Sequence, residues 1–206
     1  MMKLITKITM MLIMMKFNYP DGATPLEHDE LTALIPTHIS TQRELNAWEA
    51  TNILDSLDWA FRQKEILTIS FLQNLHKRMF DKTWKWAGQF RKSEKNIGVA
   101  WQKVPEMLKN LCDDVQYQIE HKTFSADEIA IRFHHRLVFI HPFSNGNGRH
   151  ARLAANLLIK QLGQKQFTWG MNQDLTEESA VRKEYIQALQ LADKGDYKKL
   201  ITFARS

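Results

Sequence analysis

Between residues 133 and 163 the chain reads FHHRLVFIHPFSNGNGRHARLAANLLIKQLG, and the polar groups gathered there are those that handle a phosphate. Gly146 and Gly148 carry no side chain to hold an oxyanion away from the backbone. A helix starting after them would aim its unpaired N–H groups and the positive end of its dipole at the same place. Arg149 and Arg152, three apart, would leave that helix on neighbouring faces, able to grip phosphate oxygens in forked, charge-assisted pairs. His141 stands across the loop, and an imidazole with an ordinary pKa of ~6.5 takes a proton from a hydroxyl at neutral pH. Together these groups describe phosphoryl or nucleotidyl transfer. The plainer reading of the same residues is a helix–loop–helix corner with a capping asparagine and a solvated basic turn, since a Gly-x-Gly alone is a weak signal.

The elements that must position these groups are helices. Phe133, Leu137 and Ile140 share one helical face, and Pro142 closes that helix at about His141. Leu153, Ala154, Leu157, Leu158 and Leu162 recur at helical intervals after Asn147, with Gly163 as the stop. Two buried helices therefore hold one polar loop.

His141, Phe143, Gly146, Asn147, Gly148, Arg149 and Arg152 resemble the HxFx(D/E)GNGRxxR signature of the Fic family. The resemblance implies an all-α fold, a Fic-type helical bundle with a small β-hairpin flap. It implies transfer of AMP from ATP to a Ser, Thr or Tyr hydroxyl of a target protein, with His141 as base and Phe143 pinning the loop. Gly146, Asn147 and Gly148 would form the anion-binding turn, Arg149 and Arg152 would hold the phosphates, and Mg2+ would accompany the nucleotide. Asn145 occupies the family's acidic, metal-binding position without a charge. Rival readings are transfer of a phosphoryl or other phospho-group by the same histidine, and a non-catalytic module that holds a nucleotide or a partner.

The rest of the chain reads as the support for that site. A length of 206 residues, 44% of them hydrophobic, with 8 Gly and 5 Pro, suits one compact, mostly helical domain. Residues 1–16 read as a non-native or disordered extension, with Met14 or Met15 the real start, their apolar run being too short to span a bilayer. Residues 17–61 read as a lead-in and helix with a regulatory role, and 62–206 as the Fic domain. The phrase GATPLEHDELTALIPTHI resembles the start of the mobile-element-associated mobile mystery protein B subgroup, and an antitoxin-like partner protein is expected alongside the protein substrate. The single cysteine, Cys112, fits a buried thiol in a reducing compartment and so a cytoplasmic protein. A net charge of +5 is scattered rather than striped, which argues against nucleic acid as a partner.

Local patterns complete the expectations. Thr41 and Glu44 read as a capping box opening a helix whose apolar stripe is Leu45, Trp48, Ile53, Leu57 and Phe61. Ser40 and Glu44 also resemble the Ser/Thr-xxx-Glu inhibitory element of some Fic proteins, whose glutamate pairs with the second motif arginine. Further helices are expected over 66–80, 104–119, 177–192 and 196–204, with another opening at Ser125. Residues 92–101 lack helical periodicity, and a hairpin through Asn96, Ile97 and Gly98 would offer a strand edge to a target peptide. His134 and His135 are read as one packed and one solvent-facing residue, and no paired Cys or His spacing marks a zinc site.

Overall fold

The computed structural model describes residues 24–170, 175 and 179–206, so the expectations placed on residues 1–16 lie outside it. Eight α-helices occur among the described residues: α1 (His28–Leu31), α2 (Gln42–Ala60), α3 (Ile69–Phe80), α4 (Val104–His121), α5 (Ala126–Ile140), α6 (Asn147–Gln161), α7 (Ala180–Ala192) and α8 (Lys198–Arg205). The starts of α2, α3, α5 and α7 are fixed by Thr41, Thr68, Ser125 and Ser179, whose side chains each accept a first-turn N–H that has no partner within the helix. At the end of α6, Gln164 donates to the Ile159 carbonyl and Gly163 to Lys160, the paired bonds of a glycine-stopped helix.

The two motif helices form the centre. α5 and α6 pack on each other, α5 is flanked by α4 and α8, and α6 by α3, which in turn carries α2. Phe133, Leu137 and Ile140 of α5 and Leu153, Leu157 and Leu158 of α6 are buried as their spacing requires. Each such side chain contributes roughly 1.5–3 kcal/mol when removed from water. Cys112 is buried on α4, which pushes its thiol pKa up to about 11. No described helix is long and apolar enough to cross a membrane.

Two expectations need correction. Of the expected stripe on α2, Leu45 is buried and Ile53, Leu57 and Phe61 pack half-buried against the core, but Trp48 is 37% exposed and the most buried face is the polar one, Leu45, Glu49, Asn52, Ser56 and Ala60. Polar groups are tolerated inside because each is paired: Asn52 accepts from the Lys82 N–H and donates to the Arg78 carbonyl, and Ser56 donates to the Ile53 carbonyl. The flap forms no hairpin either. Residues 93 and 96–99 are bends with irregular backbone between them, and among the described residues strand pairing is limited to an isolated bridge between Leu34 and Trp84. A side chain takes the place of the ladder, because the buried Arg91 guanidinium donates to the carbonyls of Ser93, Val99 and His141 and so ties the loop shut from within.

Candidate functional site

The site begins with a backbone conformation. His141 ends α5 in the left-handed region, at φ 54°, and Pro142 forbids a further helical turn. The ring is thereby swung under the loop and is only 5% exposed. Its Nδ1 lies 3.3 Å from the Val138 carbonyl oxygen, which can only accept, so Nδ1 carries the proton and Nε2 presents a lone pair. That lone pair faces the Thr24 hydroxyl at 2.8 Å. Burial holds the ring's pKa down to about 4, helped by the Arg91 and Lys95 charges and opposed by the Val138 carbonyl, so the imidazole is neutral at physiological pH.

The loop that follows is braced at each residue. Asn147 accepts from the Phe143 N–H at 2.9 Å and donates to the Phe143 carbonyl at 2.8 Å, closing the loop on itself. The Phe143 ring is fully buried and stacks on His76 at 3.7 Å. His76 accepts the Gly88 N–H on Nδ1 and donates from Nε2 to the Asn145 carbonyl, both at 3.0 Å, with burial first among the causes that keep it well below the usual histidine range. Gly146 adopts φ 78°, and a Cβ there would lie 2.6 Å from the Phe80 ring, so both conformation and space demand glycine. Gly98 is under the same demand from across the cavity: its φ is 110°, and a Cβ would stand 2.7 Å from that of His141.

Beyond Gly146 the first turn of α6 points its backbone donors into a cavity of about 540 Å³. The sequence candidates Gly98, His141, Asn145, Gly146–Arg149 and Arg152 all line it and so meet in one space, joined there by Thr24, which the sequence reading did not single out. Arg149 sits over the Phe80 ring and pairs through Nη1 with Glu49 at 2.7 Å. Arg152 lies against Tyr185 of α7, its guanidinium 5.6 Å from the ring centre. Asn145 is turned inward: Oδ1 accepts the Gly146 N–H at 2.6 Å and Nδ2 donates to the Thr24 carbonyl at 3.2 Å. Among the described residues no group of three His, Cys, Asp or Glu side chains is placed to hold a metal ion.

Ser40 and Glu44 do not reach this space. Glu44 is exposed and accepts from the Ser40 N–H and hydroxyl and from the Thr41 N–H, at 2.8, 3.0 and 3.0 Å. Those bonds, the Ser40 N–H foremost, pull its pKa down to about 2, and its role is to cap α2. The carboxylate that does meet a motif arginine is Glu49, 3% exposed, which also accepts the Trp84 indole N–H at 2.7 Å. It pairs with the first arginine of the motif, not the second. Of the expected flap residues, Ile97 and Gly98 line the cavity while Asn96 is exposed outside it. His135 is buried rather than solvent-facing, because its Nε2 finds Asp193 of the loop after α7 at 2.8 Å; His134 bonds the Tyr185 hydroxyl at 3.0 Å.

The Fic/DOC family model matches residues 66–159. A protein adenylyltransferase, fic-1 of Caenorhabditis briggsae, is 31% identical over 120 residues, a match covering 57% of this chain and 22% of that protein's length. A Fic-1 structure from C. elegans superposes with a TM-score of 0.60 at 26% identity, over 77% of this chain and 48% of that one. BepC of Bartonella tribocorum, solved with AMPPNP, shares the fold with a TM-score of 0.62 at 17% identity, over 93% and 96% of the two chains.

Proposed function

We propose that this chain, whose residues 66–159 match the Fic/DOC family model, transfers AMP from ATP to a hydroxyl side chain of a target protein. The observation that carries the reading is His141 Nε2, held as a proton acceptor in the same cavity as the N-terminal donors of α6. The target hydroxyl loses its proton to His141 as its oxygen attacks the α-phosphorus; the bond from that phosphorus to the bridging oxygen breaks, and pyrophosphate leaves with the electron pair. The Asn147, Gly148 and Arg149 N–H groups have no acceptor within the helix and face the phosphates. Arg149 and Arg152 supply the countercharge, Arg149 after exchanging Glu49 for a phosphate oxygen. The adenylyltransferase names of the sequence relatives support the choice of AMP over a bare phosphoryl group.

Magnesium fits this cavity only as the nucleotide's own counter-ion. Asn145 offers one neutral amide oxygen, already accepting from Gly146, and the Glu49 carboxylate is engaged with Arg149 and Trp84. Residues 17–61 then act as a regulatory lead-in, since α2 brings Glu49 to the site, and 62–206 form the transferase domain. The subgroup resemblance of residues 22–39 and the lone Cys112 support a cytoplasmic setting with an antitoxin-like partner.

The test is incubation with labelled ATP and host lysate, followed by mass spectrometry of the labelled bands. Adenylyl transfer adds a nucleotide, and phosphotransfer adds only a phosphate. His141→Asn, which tolerates the left-handed backbone, is expected to lower labelling about 10²–10⁴-fold while ATP binding persists. Undiminished labelling by this variant would remove His141 from the chemistry.

A further inference from the structure

The position that an acceptor hydroxyl must take in this reaction is filled by the chain itself. Thr24 is 6% exposed, and its hydroxyl lies 2.8 Å from His141 Nε2, where a proton leaving the oxygen would be received. The same side chain lines the cavity formed by Gly146–Arg149, so a nucleotide seated on the α6 N-terminus brings its phosphates beside that hydroxyl. Pro25 biases Thr24 toward an extended backbone, the form in which a target peptide is presented.

The segment is seated, not merely passing. Asn145 holds the Thr24 carbonyl at 3.2 Å. Further along, Glu30 is paired with Lys95 of the flap loop, and the Trp86 indole N–H donates to the Glu30 carbonyl at 3.1 Å. Backbone bonds from Ile35 to the Thr83 carbonyl at 2.8 Å and from Lys85 to that of Ala33 at 3.0 Å complete the attachment. Glu30 thus fastens the segment to the loop expected to dock a target peptide.

We propose that Thr24 is a modification site, an acceptor that this domain adenylylates in its own chain and that competes with external targets for His141; the proposal rests on the adenylyl-transfer reading above. The Thr24 Oγ1–phosphorus bond forms, the hydroxyl proton passes to His141 Nε2, the bond to the leaving oxygen breaks, and pyrophosphate departs with the electron pair. A modified Thr24 carries a bulky ester that no longer fits its present place, so the segment is displaced and the cavity opens to other hydroxyls.

The experiment uses the full chain, ATP and magnesium, followed by intact mass and peptide mapping, with a parallel lysate-labelling arm. Both arms are run on the wild type and on Glu49→Gln, so that the Arg149 pairing does not mask transfer. One AMP is expected on Thr24, at a fractional rate independent of protein concentration. The adduct should be lost in Thr24→Val and retained in Thr24→Ser, with Thr24→Val labelling lysate proteins at least as strongly as the wild type. Labelled lysate proteins with no adduct on the chain, an adduct mapped elsewhere, or a rate that rises with protein concentration overturns the proposal while leaving the transferase reading intact. Absence of label in both arms overturns the transferase reading and this proposal with it.

Discussion

Glu49 is the residue whose replacement most directly tests how the cavity controls its nucleotide. Its carboxylate is almost wholly buried and divides between two donors, Arg149 Nη1 and the Trp84 indole, both at 2.7 Å. Glu49→Gln keeps an oxygen for Trp84 and removes the charge opposite Arg149. Arg149 stays ionised, and with the Gln oxygen on Trp84 the amide NH2 facing it cannot accept, so the guanidinium no longer has a charge-assisted bond of about 1.5–3 kcal/mol to give up when it turns to a phosphate. AMPPNP should then bind about ten- to a hundredfold tighter to the variant. The fold should also register the change, because removing one partner leaves the largely buried Arg149 guanidinium without its counter-charge, a cost of about 3 kcal/mol, and a melting temperature lower by roughly 6–12 °C is expected. Isothermal titration of AMPPNP and calorimetric melts on both proteins at one ionic strength give the two numbers. Equal or weaker AMPPNP binding by Glu49→Gln, with the fold intact, would refute the idea that this pair opposes the nucleotide.

Three further outcomes follow from the same geometry. Burial pulls His141 and His150 down to about 4, and it also lowers His76, His134 and His135; an unfolded histidine titrates near ~6.5, so the unfolded chain binds more protons between these values. Their contribution is whole above pH ~6.5 and is lost as pH falls toward 4, by up to ~1.4 kcal/mol per pH unit for each histidine, and a melting temperature level from pH 7 to 4.5 would contradict their burial in the neutral form. Asn145→Asp should lower the magnesium concentration for half-maximal transfer at saturating ATP, whereas coincident titration curves would separate this position from the cation. Glu44→Gly should lower the melting temperature slightly by removing the α2 cap and leave AMPPNP affinity unchanged; a gain in affinity would reinstate Glu44 as a regulator.

The motif loop was legible because its residues are contiguous and each type has few uses: Pro142 ends a helix, Gly146 permits a left-handed turn, and Asn147 and Phe143 bond across four positions. Helix starts were legible for the same local reason, as Thr41 and Ser125 show. What escaped depends on distant partners. Glu49 was not singled out, since its justification, Arg149, lies 100 positions away. One signal was available: Glu49, Asn52 and Ser56 share a helical face with Leu45 and Ala60, a polar stripe that competes with the weaker apolar one. Arg91 carried no such signal, and the hairpin was expected because nothing local shows that a guanidinium will take the flap's carbonyls. Thr24 is equally silent, 117 residues from the imidazole it meets.

The polar inner face of α2 also sets the terms on which this domain can be improved. Replacing Glu49, Asn52 and Ser56 with well-packed apolar residues would relieve buried polar groups of their dehydration cost and often raises stability in other proteins. Here Glu49 positions Trp84 and Arg149 beside the cavity, and Asn52 holds the Arg78 carbonyl, the Lys82 N–H and the Thr83 hydroxyl. A library selected for heat resistance alone would drift toward leucine on this face, and its hardiest members would be those least able to keep the cavity's charges in register.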